Sequence, residues 1–244
     1  MDDPQGVWTG MAAFLRGYPR DLLARPNAII VVSAHWETKG FAFGAASRPT
    51  MIYDYSGFPP HTYQLKYPVA GAPALAARAA ELLRSKGLEA SIDDARGIDH
   101  GLFIPMMVSF PEADIPMIEM SVEKSFDPRL NLDAGKALAP LRAEGVLIVG
   151  SGMSFHNMRG YGDPRFTAPS EEFDHWITAA AESDPDKREA LLASWSDAPS
   201  GRLSHPREEH LLPLMVAAGA SRGEGRRIYS ERVMQTAISA FRFD

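Results

Sequence analysis

The run from Ala28 to Ala34 (AIIVVSA), followed at once by His35, constrains the fold of this chain more than any other stretch. It is a continuous β-branched run, with no in–out alternation. Such a run is a strand buried on both faces, and strands of that kind belong to parallel sheets covered by helices. Two further runs of the type are Ile115–Met120 and Val146–Val149, the latter ending in Gly150-Ser151-Gly152. Helical patterns lie between them. Ala74–Lys86 is rich in Ala and Leu and stops at Gly87, a C-cap. Leu132–Glu144 stops at Gly145, with Pro140 placed to kink or shorten it. Glu171–Trp195 reads as two helices divided at Asp184-Pro185. Glu208–Ala218 reads as a helix with Pro206 at its first turn. The tail Arg232–Phe243 alternates loosely, as a closing strand would. Pro49–Pro68 is rich in Tyr, Pro and Gly and has little periodicity, which predicts a long ordered loop, where function tends to concentrate. Strand and helix alternate and no linker intervenes. The expectation is one α/β domain over residues 1–244, a central mostly parallel or mixed sheet flanked by helices.

The chain has no cysteine, so thiolate metal sites and cysteine nucleophiles are excluded. A metal would have to be held by His, Asp or Glu. There are seven histidines: His35, His61, His100, His156, His175, His205 and His210. His35 follows a strand directly, and His156 lies a few residues beyond another, in GSGMSFHN. Groups just past the carboxyl ends of strands line the ligand crevice of open α/β sheets. His100 sits in Asp99-His100-Gly101, before an apolar segment. His205 and His210 flank the first turn of the helix expected from Pro206. Taken singly, each is more often a cap or packing residue than a ligand. His175 reads as a helix-surface or packing residue, His205 as a cap or brace for the next helix, and His61 as a lid residue or a residue without a role. The formal net charge of −6 gives no electrostatic reason to expect nucleic acid or an anionic membrane as partner. No apolar run is long enough to span a bilayer, and MDDPQGVW lacks the parts of a signal peptide, so a cytoplasmic protein is expected.

Several segments then resemble one family. Ser33-Ala34-His35-Trp36-Glu37 is similar to the SAHWE motif of DOPA 4,5-dioxygenase-like proteins, the LigB-type (class III) extradiol ring-cleavage dioxygenases. Tyr53-Asp54-Tyr55 with Gly57-Phe58-Pro59 resembles their YDYYGFP loop. Asp99-His100-Gly101 with Pro105 resembles DHGxWxPL, Gly150-Ser151-Gly152 through His156-Asn157 resembles GSGxxxHNL, and His205-Pro206 with Glu209 to Leu214 resembles HPxxEHxLPL. The resemblance implies a LigB-like fold and cleavage of a catechol-type ring with O₂. It implies His35 and His210 as ligands of a non-haem metal, Fe(II) for activity with Zn(II) also found. It makes His156 the acid/base and sets His100 at the substrate. The wall formed by Tyr53, Tyr55, Phe58 and His61 is expected to contact the substrate. A homo-oligomer is a further expectation.

One part of the family pattern has no counterpart here. Family members begin with a strand ending in Ser-His-Gly, whose histidine completes the metal triad, whereas no histidine precedes His35. A start misassigned or trimmed past that strand is the expected reason, since losing a central strand would expose core surface and an unpaired edge. Substitution by His100 or His156, or loss of the metal, are the other two. Two further functions remain beside ring cleavage: a zinc hydrolase, because zinc-bound water is a nucleophile near neutral pH, and a metal-free, non-catalytic relative. Arg96, Lys66, Arg159 and Arg207 are the cations available to a substrate carboxylate, each more readily a solvated surface charge.

Overall fold

The computed structural model describes residues 5–244. Helix α1 (Thr9–Gly17) leads into β1 (Ala28–Thr38) and β2 (Phe41–Gly44). The loop that follows contains a single 3₁₀ turn, Pro60–Gln64, and ends at α2 (Pro73–Ser85). Next come β3 (Ala90–Asp93), α3 (His100–Ser109), β4 (Met117–Glu123), α4 (Pro128–Leu138), α5 (Pro140–Ala143) and β5 (Val146–Ser151). The chain closes with α6 (Thr167–Ala181), α7 (Pro185–Ala193), α8 (Gly201–Ser204), α9 (Leu212–Gly219) and the strands β6 (Gly225–Val233) and β7 (Thr236–Phe243). No helix among the described residues is long and apolar enough to cross a membrane.

Five strands form one mixed sheet in the order β3-β2-β4-β1-β5. β1 runs parallel to both β4 and β5, while β2 meets β4 antiparallel. Because successive side chains of a strand point to opposite faces, β1 feeds two cores at once. Ile30 and Val32 pack on one face beneath α2, α4 and α9. Ile29 and Val31 pack on the other with Leu102, Phe103 and Met106 of α3. All of these are almost fully buried, and burial of each side chain of this kind stabilises the fold by about 1.5–3 kcal/mol. That is why the run carries no polar alternation.

Three details differ from the sequence reading. β1 does not stop before His35 but continues to Thr38. Its register with β4 slips between Ser33 and Glu37, and its pairing with β5 ends at Ser33. His35 therefore stands in a bulge, a device that re-aims a side chain. The tail is not a closing strand of the main sheet: β7 pairs with β6 as a separate antiparallel hairpin. The last helix begins at Leu212 rather than near Pro206. Residues 206–211 instead form a turn, stapled to the segment after β5 by Met153 N donating to the His210 carbonyl.

Candidate functional site

Four of the seven histidines converge at the carboxyl ends of β1 and β5. Their rings form a row. His100 and His35 have centroids 3.9 Å apart, His35 and His210 4.9 Å, and His210 stacks on His156 at 3.4 Å. The four come from separate pieces of chain: the bulge of β1, the first residue of α3, the loop after β5 and the turn before α9. Two glycines let those pieces approach. A Cβ on Gly101 would lie 2.3 Å from Ser33 Oγ, and one on Gly152 would lie 2.1 Å from the His210 carbonyl oxygen. Both contacts are far inside van der Waals range, so the glycines of the DHG and GSG segments are there for close packing.

Each end of the row is backed by a carboxylate. Asp54 Oδ1 lies 2.8 Å from His100 Nδ1 and accepts the His100 backbone N–H at 3.0 Å. Glu209 Oε1 lies 3.4 Å from His156 Nδ1. Burial pushes both carboxyls up. Hydrogen bonds from His100 outweigh it for Asp54, and for Glu209 it is outweighed by the His156 side chain, then by its own backbone N–H, so both stay below the usual range. Burial works the other way on the central rings. It lowers His35, helped by His100, and takes His210 down to about 2, helped by His156 and His35. Both central imidazoles are thus neutral, the form that offers a lone pair to a metal.

The residues present fit such a metal. Histidine nitrogens and carboxylate oxygens suit Fe(II) or Zn(II), and buried His210 Nδ1 has no hydrogen-bond partner. Two groups have ligand atoms close enough to share an ion: His35, Asp54 and His100, and His156, Glu209 and His210.

A buried network supports the row from below. Ser33 Oγ donates to Asp99 Oδ1 at 2.7 Å, and the His35 backbone N–H donates to Ser33 Oγ. Asp99 also caps α3 through Gly101 N. Arg96 bridges Asp99 and Glu119 at 2.9 and 3.2 Å and lies over the Trp36 ring. Burial, then Asp99, pushes the Glu119 carboxyl well up. Arg207 is held by Glu37 through two hydrogen bonds, while Lys66 and Arg159 are exposed. His205 is fully buried and sits 3.0 Å from the Ser154 carbonyl, bracing the loop that carries His156. His175 is exposed on α6, as expected.

The Tyr-rich loop stands beside His100. The Tyr55 ring meets the His100 ring edge-on at 5.6 Å, and Tyr53 and Tyr55 pack on Phe103. Their hydroxyls donate inward to Leu65 O and Thr62 O, so the loop turns ring carbon, not hydroxyl, outward. Phe58 and His61 are exposed. Against His35, His100 and His210 opens a cleft of ≈ 710 Å³, bounded also by α1, α3, β5, α9 and the β6–β7 hairpin. Asp54 and Glu209 lie inside the YDY and EHxLPL segments, but nothing in the sequence pattern alone marks them as partners of His100 and His156.

Kinship with known proteins agrees with this arrangement. The family model described as the catalytic LigB subunit of aromatic ring-opening dioxygenase matches residues 3–242. The chain is 42% identical to Dioxygenase tasH of Hapsidospora irregularis, over 89% of its own length and 71% of the relative's. It is 38% identical to the 4,5-DOPA dioxygenase extradiol of Portulaca grandiflora, covering 91% and 82%. Against the Escherichia coli K12 protein of that same name the identity is 37%, covering 83% and 75%. A crystal structure of an uncharacterized Escherichia coli K12 protein superposes with a TM-score of 0.77 at 29% identity, covering 96% of this chain and 92% of the other. Motifs, sheet and matched length all point the same way, and this chain belongs to the LigB family of aromatic ring-opening dioxygenases.

Proposed function

We propose that this protein is a non-haem extradiol dioxygenase that opens a catechol-type ring with O₂. His35 and His210 serve as metal ligands, His156 as acid/base, and His100 holds the substrate. The observation that carries the reading is the row of four imidazoles whose two inner members are neutral and whose outer members are each backed by a carboxylate. Ligands in the middle, a substrate-holding group at one end and a proton-handling group at the other is an order that suits this chemistry. The zinc-hydrolase and metal-free readings are not favoured by the kinship.

When bound, the metal supplies Lewis acidity and electron transfer between catecholate and O₂, for which Fe(II) is competent and Zn(II) is not. With Glu209 facing Nδ1, His156 keeps Nε2 for the substrate. There it takes the proton of a catechol hydroxyl and returns it as the ring opens, help worth about 10²–10⁴-fold. The rings of Tyr53, Tyr55 and Phe58 offer an apolar wall to an aromatic substrate, with exposed His61 at its rim.

The third ligand belongs to this proposal too. All six residues of β5 line the cleft, side chains of both faces alike, as an edge-on approach requires. β5 is the outermost strand on that side of the sheet. An extended segment of six residues, about 20 Å long, laid along that edge would end near Ser151, beside His35 and His210. A strand ending in Ser-His-Gly, as the family resemblance implies, would carry its imidazole there. A cytoplasmic location is part of the same reading and is checked by fractionation.

The deciding experiment is oxygen uptake with a panel of catechols after anaerobic Fe(II) loading. It is run on this chain and on a version with a Ser-His-Gly strand joined before Met1. A yellow ring-opened product that needs the added strand supports both parts of the proposal. No uptake from either form, with iron bound, overturns the assignment.

A further inference from the structure

Asp54 sits in the exposed loop, yet it makes the shortest polar contact to the histidine row. One of its oxygens faces two nitrogens of a single residue, the backbone N and ring Nδ1 of His100. The backbone N–H can only donate. An ionised carboxylate can only accept, so Nδ1 must carry a hydrogen as well. We propose that Asp54 is a positioning residue that fixes both the tautomer and the ring orientation of His100, leaving the Nε2 lone pair for the substrate. The inference rests on the reading that His100 faces the substrate.

The surroundings make this a designed contact rather than a chance surface pair. Asp54 is delivered by short pairing of the loop with the residues before α3: Ile98 N donates to Thr50 O, and Ile52 N donates to Ile98 O. The loop is closed on itself by its tyrosine hydroxyls. The His100 ring is clamped by His35 on one side and the edge of Tyr55 on another. Helix capping does not explain the ring contact: Asp99 caps α3 through Gly101 N and Asp54 takes the His100 N–H, and neither bond requires the Nδ1 contact at 2.8 Å. Ligation is the rival role, since Asp54 Oδ2 lies 3.9 Å from His35 Nδ1. That oxygen belongs to a carboxylate whose other oxygen is already committed to two donors.

The test uses zinc-loaded, ¹⁵N-histidine-labelled protein and, in parallel for the rates, iron-loaded protein carrying the added Ser-His-Gly strand. In the parent, the His100 ring is expected as the Nδ1–H tautomer. Asp54→Ala should lose that tautomer preference and lower kcat/KM by about 10–100-fold, the usual cost of removing such a partner, with metal per chain unchanged. Asp54→Asn, whose amide oxygen accepts the same two hydrogens, should restore the tautomer and part of the rate. Loss of metal in Asp54→Ala would make Asp54 a ligand and overturn the proposal, as would an unchanged tautomer. The NMR result is read without turnover, so it stands even if no catechol is cleaved, an outcome that would count against the function reading alone.

Discussion

The two ends of the histidine row solve one problem differently. At the loop end, Asp54 and His100 satisfy each other at 2.8 Å, and Asp54 also takes a backbone N–H. At the helix end, His156 and Glu209 stand 3.4 Å apart, and buried Glu209 Oε2, His210 Nδ1 and His205 Nδ1 have no hydrogen-bond partner. Buried polar atoms are nearly always paired. The loop end is therefore finished as it folds, while the helix end keeps polar capacity for chemistry. The difference teaches where each half contributes: the loop end orients, and the helix end binds metal and moves protons.

The largest effect should come from the middle of the row. His210→Ala removes an inner imidazole, and His35→Ala removes the other. Either is expected to abolish metal binding and with it all ring cleavage, measured as metal per chain after loading and desalting. Stoichiometric metal retained in either variant would remove that residue from the ligand set. Next comes His156→Ala. It should keep the fold and the metal but lose about 10²–10⁴-fold in turnover. Unchanged turnover would take His156 out of the mechanism and erase the distinction between the two ends. Smaller again is Glu209→Gln, which weakens the hold on His156 Nδ1 and should cost about 10–100-fold in kcat/KM. A loss as large as that of His156→Ala would mean that Glu209 itself handles the proton.

Much of this was readable beforehand, for physical reasons. The strands β1 and β4 are buried along most of their length and β5 (VLIVGS) opens on four aliphatic residues, so each shows in the sequence as an apolar stretch. β2 and β3 are four residues each, too short to show a pattern. β6 (GRRIYSERV) is largely exposed and shows no apolar run, which hid the hairpin. His35 was legible as a histidine at a strand end, but its bulge was not, because register depends on the partner strand. The expected start of the last helix failed because the His210 carbonyl is drawn across to Met153, a tertiary bond that no local signal encodes. Asp54 and Glu209 passed unremarked because an acidic residue in a loop is ordinary until its partner is known.

The smallest effects should separate the two ends by sterics alone. Gly101→Ala sets a Cβ against Ser33 Oγ, the end of a side chain, while Gly152→Ala sets one against the His210 backbone carbonyl. Overpacking of this kind costs about 1–3 kcal/mol, and a backbone obstacle gives way less easily than a hydroxyl. Gly152→Ala should thus be the more destabilising in urea titration, and it should also weaken metal retention by moving His210. Gly101→Ala should lower stability less and weaken metal retention less, because its nearest obstacle is the Ser33 hydroxyl and the His35 ring stands off at 3.1 Å from the new Cβ. The reverse order would place the rigid, binding half of the site at the loop end rather than at the helix end.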